Sequence, residues 1–259
     1  MRRISLALVL LMPLAAQAGT LRVCADPNNL PFSNRAGEGF EDKIAALVAR
    51  DLHMAGVTHA YALQNARFLK HTLDARRCDV VMGVSKGVDA LDTTRPYYVS
   101  SYVFVTRAPL KIASLEDRRL RSLKIGAHLI GDDATPPMLA LGRLGIVNNV
   151  QGFLVQGDFD KPNPAARPVE AVAAGKIDVA AVWGPFGGYF ASRSPVALNV
   201  AAMTGTERFA PLAFRFAIAM GVRKGDPLRA KLDGIIALEG PAIHRILASY
   251  GVPEVNGHG

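Results

Sequence analysis

The sequence predicts an α/β protein of two lobes with a cleft between them. Three observations carry that expectation. The composition is globular, with 259 residues, 50% hydrophobic, 20% charged, 24 Gly and 16 Pro. That excludes a disordered chain, a collagen-like repeat and a coiled coil, and the length suffices for two cores. A strand-then-helix rhythm runs along the chain twice, and a final β-patterned segment and helix follow the second run. A cleft between two such lobes is where a ligand site would form.

The first run opens with a strand at 21–26, ended by the turn Asp26-Pro27-Asn28-Asn29. Phe40, Ile44, Leu47, Val48 and Leu52 recur at helical spacing and predict a helix over 39–52. A strand at 58–63 and a helix at 68–77 follow. Residues 78–84 (CDVVMGV) are nearly all apolar, which fits a parallel strand buried on both faces. Strands joined by helices of this length give βαβ units with right-handed crossovers.

The rhythm restarts after a β-rich run at 97–106 and a charged stretch at 115–121. Strands are expected at 123–128, 150–155 and 177–183. Helices are expected at 135–145, 168–175 and 185–192, the first carrying Pro136 and Pro137 in its opening turn, where proline is tolerated. Residues 214–222 return to a β pattern, and 226–250 are helical. No sequence repeat is visible; what repeats is the structural rhythm.

The N-terminus predicts export. Arg2 and Arg3 precede an uncharged apolar stretch from Ile4 to Ala16, and Ala16-Gln17-Ala18 has the small-x-small form of a cleavage site. Residues 1–18 therefore read as a signal peptide, with the mature chain starting at Gly19 and no lipid-attachment Cys behind it. No apolar run reaches the roughly 18–20 residues needed to span a bilayer. The mature chain keeps 28 basic against 22 acidic residues, a charge of +6. The basic residues are dispersed and aromatics are few, so nucleic acid is not expected as a partner; a solvated basic surface, or one meeting an acidic protein, is.

Motifs of metal, phosphate and dinucleotide chemistry are missing. There is no HExxH, P-loop or GxGxxG, and no ligand-spaced pair among the six His. No enzyme, cofactor or metal site is predicted. His128, at a strand's C-terminal end, is the histidine best placed for a site. Of the carboxylate pairs, Asp132-Asp133 precedes a helix, and Glu41-Asp42 sits at a helix start, where acids complement the dipole. Cys24 and Cys78 fall in the first and third strand regions, which are usually neighbours in such a sheet. An oxidising compartment permits a bond, so a disulfide and two buried thiols both stay open.

The segments LRVCADPNNLPFSN (21–34), GFEDKIAALVARDL (39–52), RCDVVMGV (77–84), TTRPYYVSSYVFV (93–105), GDDATPPMLALGRLGI (131–146) and AAVWGPFGGYFA (180–191) carry a resemblance, as does 221–253. Together they resemble the type II periplasmic solute-binding proteins of ABC transporters, amino-acid-binding branch, over essentially the whole mature chain. The narrower likeness is to the MoxJ/XoxJ-type proteins associated with PQQ-dependent quinoprotein (methanol) dehydrogenases. The resemblance implies a two-lobed type II periplasmic binding protein fold. Lobe one would comprise 19–107 and the return segment 214–259, lobe two 108–213, with two crossing segments as hinge. It implies an accessory protein that binds or helps mature the dehydrogenase. The alternative is a receptor delivering a small non-amino-acid solute to an ABC permease.

In amino-acid-binding relatives an Arg after the third strand grips the ligand carboxylate, and an Asp after the strand matching 178–183 holds its ammonium. Here those places hold Ser85-Lys86-Gly87 and Trp183-Gly184-Pro185, so both anchors are missing. The residues left to face the cleft are Asp26, Asn29, Pro31 and Phe32 after the first strand, and Ser85 and Lys86 after the third. Arg95, Tyr97 and Tyr98 enter the hinge. Gly131, Asp132, Asp133 and Thr135 precede the lobe-two helix, and Trp183, Gly184 and Pro185 end its last strand.

Overall fold

The computed structural model describes residues 19–155 and 162–255; the expected signal peptide lies outside the described residues. The first run of elements is β1 (Leu21–Ala25), β2 (Asn28–Asn29), β3 (Ser33–Asn34), α1 (Phe40–Asp51), β4 (Val57–Tyr61), α2 (Phe68–His71), β5 (Val80–Ser85), β6 (Asp92–Thr93) and β7 (Tyr98–Arg107). The second comprises β8 (Ile125–Ile130), β9 (Asp133–Ala134), α3 (Pro136–Arg143), β10 (Val150–Leu154), α4 (Arg167–Ala173), β11 (Val179–Trp183), α5 (Gly184–Ser192) and β12 (Leu198–Ala202). The chain ends in β13 (Arg215–Val222) and α6 (Leu228–Ser249).

Hydrogen-bonded strands follow the order β10-β8-β11-β7-β13-β5-β1-β4. β1 pairs in parallel with β4 and β5, and β8 in parallel with β10 and β11, as crossover helices require. The long strand β7 joins the two halves. Its start pairs with β13 from Tyr98↔Ile218 to Ser101↔Arg215, and its remainder pairs with β11 and β12 from Tyr102↔Trp183 onward.

Two large apolar cores lie on either side of this join. Phe40, Ile44 and Val48 repeat on the inner face of α1 and pack with Leu21, Met82, Met220, Leu232 and Leu247. Phe104, Ile125, Ala127, Leu141 and Ala181 anchor the other. Trp183 and Phe216 pack against both. The C-terminal segment sits on the first core: β13 pairs with β5, Arg50 of α1 bonds Glu239 of α6 at 2.9 Å, and Phe40 meets Tyr250 edge-on. Arg223, just past β13, donates to the Cys78 carbonyl at 2.7 Å and the Leu73 carbonyl at 3.2 Å.

Cys24 and Cys78 are joined by a disulfide with a Cα–Cα distance of 5.3 Å. The bond lies in a small buried cluster with Ala60, Phe68, Leu73, Val81 and Leu91.

Two local expectations differ from the structure, and one strand is unexpected. The helix expected over 68–77 is helical only at Phe68–His71. Thr72 leaves the helical region at φ −123°, ψ −82°, its hydroxyl donates back to the Phe68 carbonyl at 2.6 Å, and Arg76 sits at φ 55°. Burial of Leu73 and Cys78 turns the chain inward there, and that tertiary demand overrides local propensity. β5 is buried at Val80–Met82 but opens from Gly83 to Ser85, because its C-terminal end faces the cleft. The edge strand β12 carries no expectation from sequence, since LNVAA has weak β pattern and depends on pairing with β7.

Candidate functional site

A cavity of about 320 Å³ lies where the ends of β5, β7, β8, β11 and β13 meet the loop after β1 and the first turn of α1. Strand ends of open α/β sheets are where ligand crevices form. The two sides touch across it: Asn163 donates its backbone N–H to Asn28 Oδ1 at 3.0 Å, and Phe32 meets Phe186 edge-on at 5.1 Å.

Of the residues singled out from sequence, Asn29, Phe32, Ser85, Tyr98, His128, Thr135 and Trp183 line this cavity. Asp26 stands behind it, accepting from the Asn28 N–H at 2.8 Å and the Gln64 N–H at 2.7 Å. It thereby holds two loops at the rim, and Asn29 Nδ2 in turn donates to Gln64 Oε1 at 2.6 Å. Tyr97 is turned into the first core, its hydroxyl donating to the Met82 carbonyl. Lys86 Nζ reaches the Thr93 carbonyl, away from the cavity lining. Arg95 is exposed, with its backbone N–H on Asp233 of α6. Asp132, on the turn between β8 and β9 that Gly131 opens at φ 61°, and Asp133, which starts β9, are both exposed. Pro31 and Pro185 do not line the cavity. Gly184 starts α5 in close packing; a Cβ there would lie 2.5 Å from the Ser101 carbonyl oxygen.

The walls are aromatic. Phe32, Tyr98, Tyr102, Trp183, Phe186 and Phe216 all line the cavity, in two groups. Trp183 packs edge-on against Tyr102 at 5.4 Å and Phe216 at 5.6 Å, while Phe186 packs against Phe32 and His128. No Lys or Arg is among the described lining residues.

The ionisable lining groups are Glu41, His128, Tyr98 and Tyr102. His128 is 1% exposed, and burial lowers its pKa to about 4. Its Nε2 meets the Ala165 carbonyl at 3.0 Å, so Nε2 carries the proton and the buried Nδ1 is an acceptor without a partner. Burial raises Tyr102 to about 12 and Tyr98 well above its ordinary value. Glu41 is pushed up to about 8, first by burial and then by the neighbouring Asp42 charge.

The acidic pair at the start of α1 thus divides its work. Asp42 Oδ2 accepts the Gly39 N–H at 2.9 Å and caps the helix, as acids at a helix start do. Glu41, one position earlier, projects in another direction, with its carboxyl against Gly83 of β5. A side chain at position 83 would occupy the carboxyl's place, so the glycine admits it.

Comparison with known proteins follows the same lines. No protein-family model matches the chain. It is 31% identical over 250 residues to protein MoxJ of Methylorubrum extorquens, covering 91% of this chain and 82% of the relative. The chain belongs to the MoxJ family. Among solved structures, the periplasmic binding protein XoxJ from Methylobacterium extorquens AM1 matches at 32% identity and a TM-score of 0.76, over 92% of this chain and all of the other. MxaJ from Methlophaga aminisulfidivorans MPT matches at 24% identity and a TM-score of 0.80, over 91% and 100%. An ancestral cationic amino acid solute-binding protein shares the two-lobed fold, with a TM-score of 0.70 at 20% identity over 90% of this chain and 96% of the other.

Within this MoxJ-family cleft, Glu41, Gln64, Gly83, Val84, Tyr102, Ile130, Val155, Phe186, Phe216 and Ile218 line the cavity without having been singled out from sequence. Some signal existed. Tyr98 and Tyr102 share parity on β7, Phe216 and Ile218 share it on β13, and Trp183 faces Tyr102 in register. For Glu41 the signal was that only one acid of an adjacent pair can turn back on the N-cap.

Proposed function

We propose that this MoxJ-family chain is an exported, binding-like accessory protein of a methanol-oxidation system, which binds or helps mature a PQQ-dependent alcohol dehydrogenase. The observation that carries this is the cleft: among the described residues its lining has no cation to meet a carboxylate, in a protein whose fold relatives include amino-acid receptors. Membership of the MoxJ family supports the association with the dehydrogenase. Residues 1–18 would direct export and be cleaved. Residues 19–107 and 214–259 would form one lobe and 108–213 the other. The role is binding, not catalysis.

A pull-down against the apo and holo dehydrogenase tests it. Retention should be strong at low salt and weaken at high salt, because a charge of +6 mainly speeds encounter and is screened beyond about 8–10 Å. Failure of both forms to be retained at low salt, with normal dehydrogenase maturation in a deletion strain, overturns the role. Trp183→Ala tests whether the partner uses the cleft; unchanged retention would place the contact elsewhere on the surface.

The second reading is a receptor for a small non-amino-acid solute, handed to an ABC permease. The cavity of about 320 Å³ favours it, falling in the range of small-molecule pockets.

A further inference from the structure

We infer that the cleft takes a small organic ammonium ion without a carboxylate, held between the aromatic walls and the Glu41 carboxylate. This deepens the solute reading and rests on the cleft being a small-ligand site; it does not depend on the dehydrogenase.

The charge pattern selects the sign of the ligand. Among the described lining residues, Glu41 is the one that can carry charge at neutral pH, because His128 is neutral and both tyrosines keep their protons. No hydrogen-bond or ion-pair partner meets the Glu41 carboxyl among the described residues. An anion would therefore enter a cavity with an acid and no counter-charge, at a cost of desolvation without pairing.

The walls select the kind of cation. Trp183, Tyr102 and Phe216 form one group of rings and Phe32 and Phe186 another, and ring faces attract cations. The orphaned Nδ1 of the buried His128 adds an acceptor, which an N–H donor would satisfy. An alkylammonium ion offers N–H donors, a positive charge and an apolar body together.

Binding couples to Glu41 ionisation. Asp42 lies beside it on α1, Tyr98 at the start of β7 and the preceding Tyr97 lie near it, and His128 lies on the wall contributed by β8. Asp42 is engaged with Gly39 and with His59, whose Nε2 lies 3.0 Å from its Oδ1. Against an ordinary value of 4.5, a raised pKa of about 8 leaves the carboxyl mostly protonated at pH 7. A cation favours the ionised form, so affinity rises with pH, by about tenfold between pH 7 and pH 9.

Trp183 is the single tryptophan and lines the cavity, so its fluorescence reports occupancy directly. The experiment titrates the full mature chain with butylammonium, 1-butanol and butyrate at pH 7 and pH 9, backed by calorimetry. Butylammonium should bind at least tenfold more tightly than the other two, with the tenfold rise toward pH 9. Glu41→Gln should abolish the rise and weaken binding at pH 9 by tenfold or more. The wild-type pH profile and ligand ranking stand by themselves if that variant does not fold. Equal or better binding of butanol or butyrate overturns the ammonium assignment and leaves the solute cleft intact. No fluorescence change or heat with any of the three at millimolar concentration overturns both.

Discussion

Removing the Cys24–Cys78 crosslink should cost this protein a large part of its stability. The bond closes a segment with a sequence separation of 54, which holds β2, β3, α1, β4 and α2. In the chain-entropy account, a loop of that length corresponds to roughly 4 kcal/mol of stabilisation through the unfolded state. At about 2–4 °C per kcal/mol for a chain of this size, the melting temperature should fall by about 8–16 °C. Both sulfurs are buried, with Cys24 3% and Cys78 0% exposed, so a reductant acts only when the cluster opens. The clean measurement therefore reduces the protein in denaturant, refolds it in reductant, and compares its thermal melt with that of the oxidised form. Reduced wild type isolates the crosslink, because the sulfur volume stays in place. A Cys24→Ala/Cys78→Ala variant should fall further, since it also empties space beside Leu73 and Phe68. A reduced protein melting within about 2 °C of the oxidised form would refute the reasoning, showing that an ordered unfolded state or native strain cancels the loop term.

His128, with its pKa lowered from 6.5 to about 4 by burial, makes folding proton-sensitive. The unfolded state takes up the proton first, so this stability is complete above about pH 6.5 and falls progressively toward pH 4, by roughly 3 kcal/mol. Urea midpoints measured at pH 7 and pH 4.5 should show that slope, and His128→Gln should flatten part of it; identical slopes in both proteins would count against the buried neutral imidazole. Gly188→Ala should destabilise by about 1–3 kcal/mol, because the added Cβ overlaps the Gly251 carbonyl where α5 meets the end of α6. Denaturant melts check this, and an unchanged midpoint would mean that the contact relaxes freely. Calorimetry against the common α-amino acids should show no micromolar binder, since the cavity lining has no Lys or Arg for the carboxylate among the described residues; one clear micromolar isotherm would restore amino-acid binding.

What the sequence by itself determined is the succession of elements. Helix α1 was legible because Phe40, Ile44 and Val48 repeat at helical spacing, and β1, β8 and β11 because short apolar runs alternate with helices. Part of the cleft was legible too. Asn29, Phe32, Ser85, Tyr98, Thr135 and Trp183 all sit at strand ends or just beyond them, where such sheets place their sites. Tertiary structure decided the rest. Whether Cys24 and Cys78 bond depends on a Cα spacing of 5.3 Å, which belongs to the pairing of β1 and β5 and to no local pattern. Tyr97 and Tyr98 are neighbours in sequence and both pack into the first core with rings 5.0 Å apart, yet only Tyr98 also reaches the cavity, a difference set by what the surrounding elements bring to each ring. Glu41 reads from sequence as a helix-start acid like Asp42. Only the approach of β5, with a glycine at position 83, turns it into the cavity's charged group, and burial there changes its chemistry. Local spacing reports periodicity along one element; the environment of a side chain is set by what other elements bring to it.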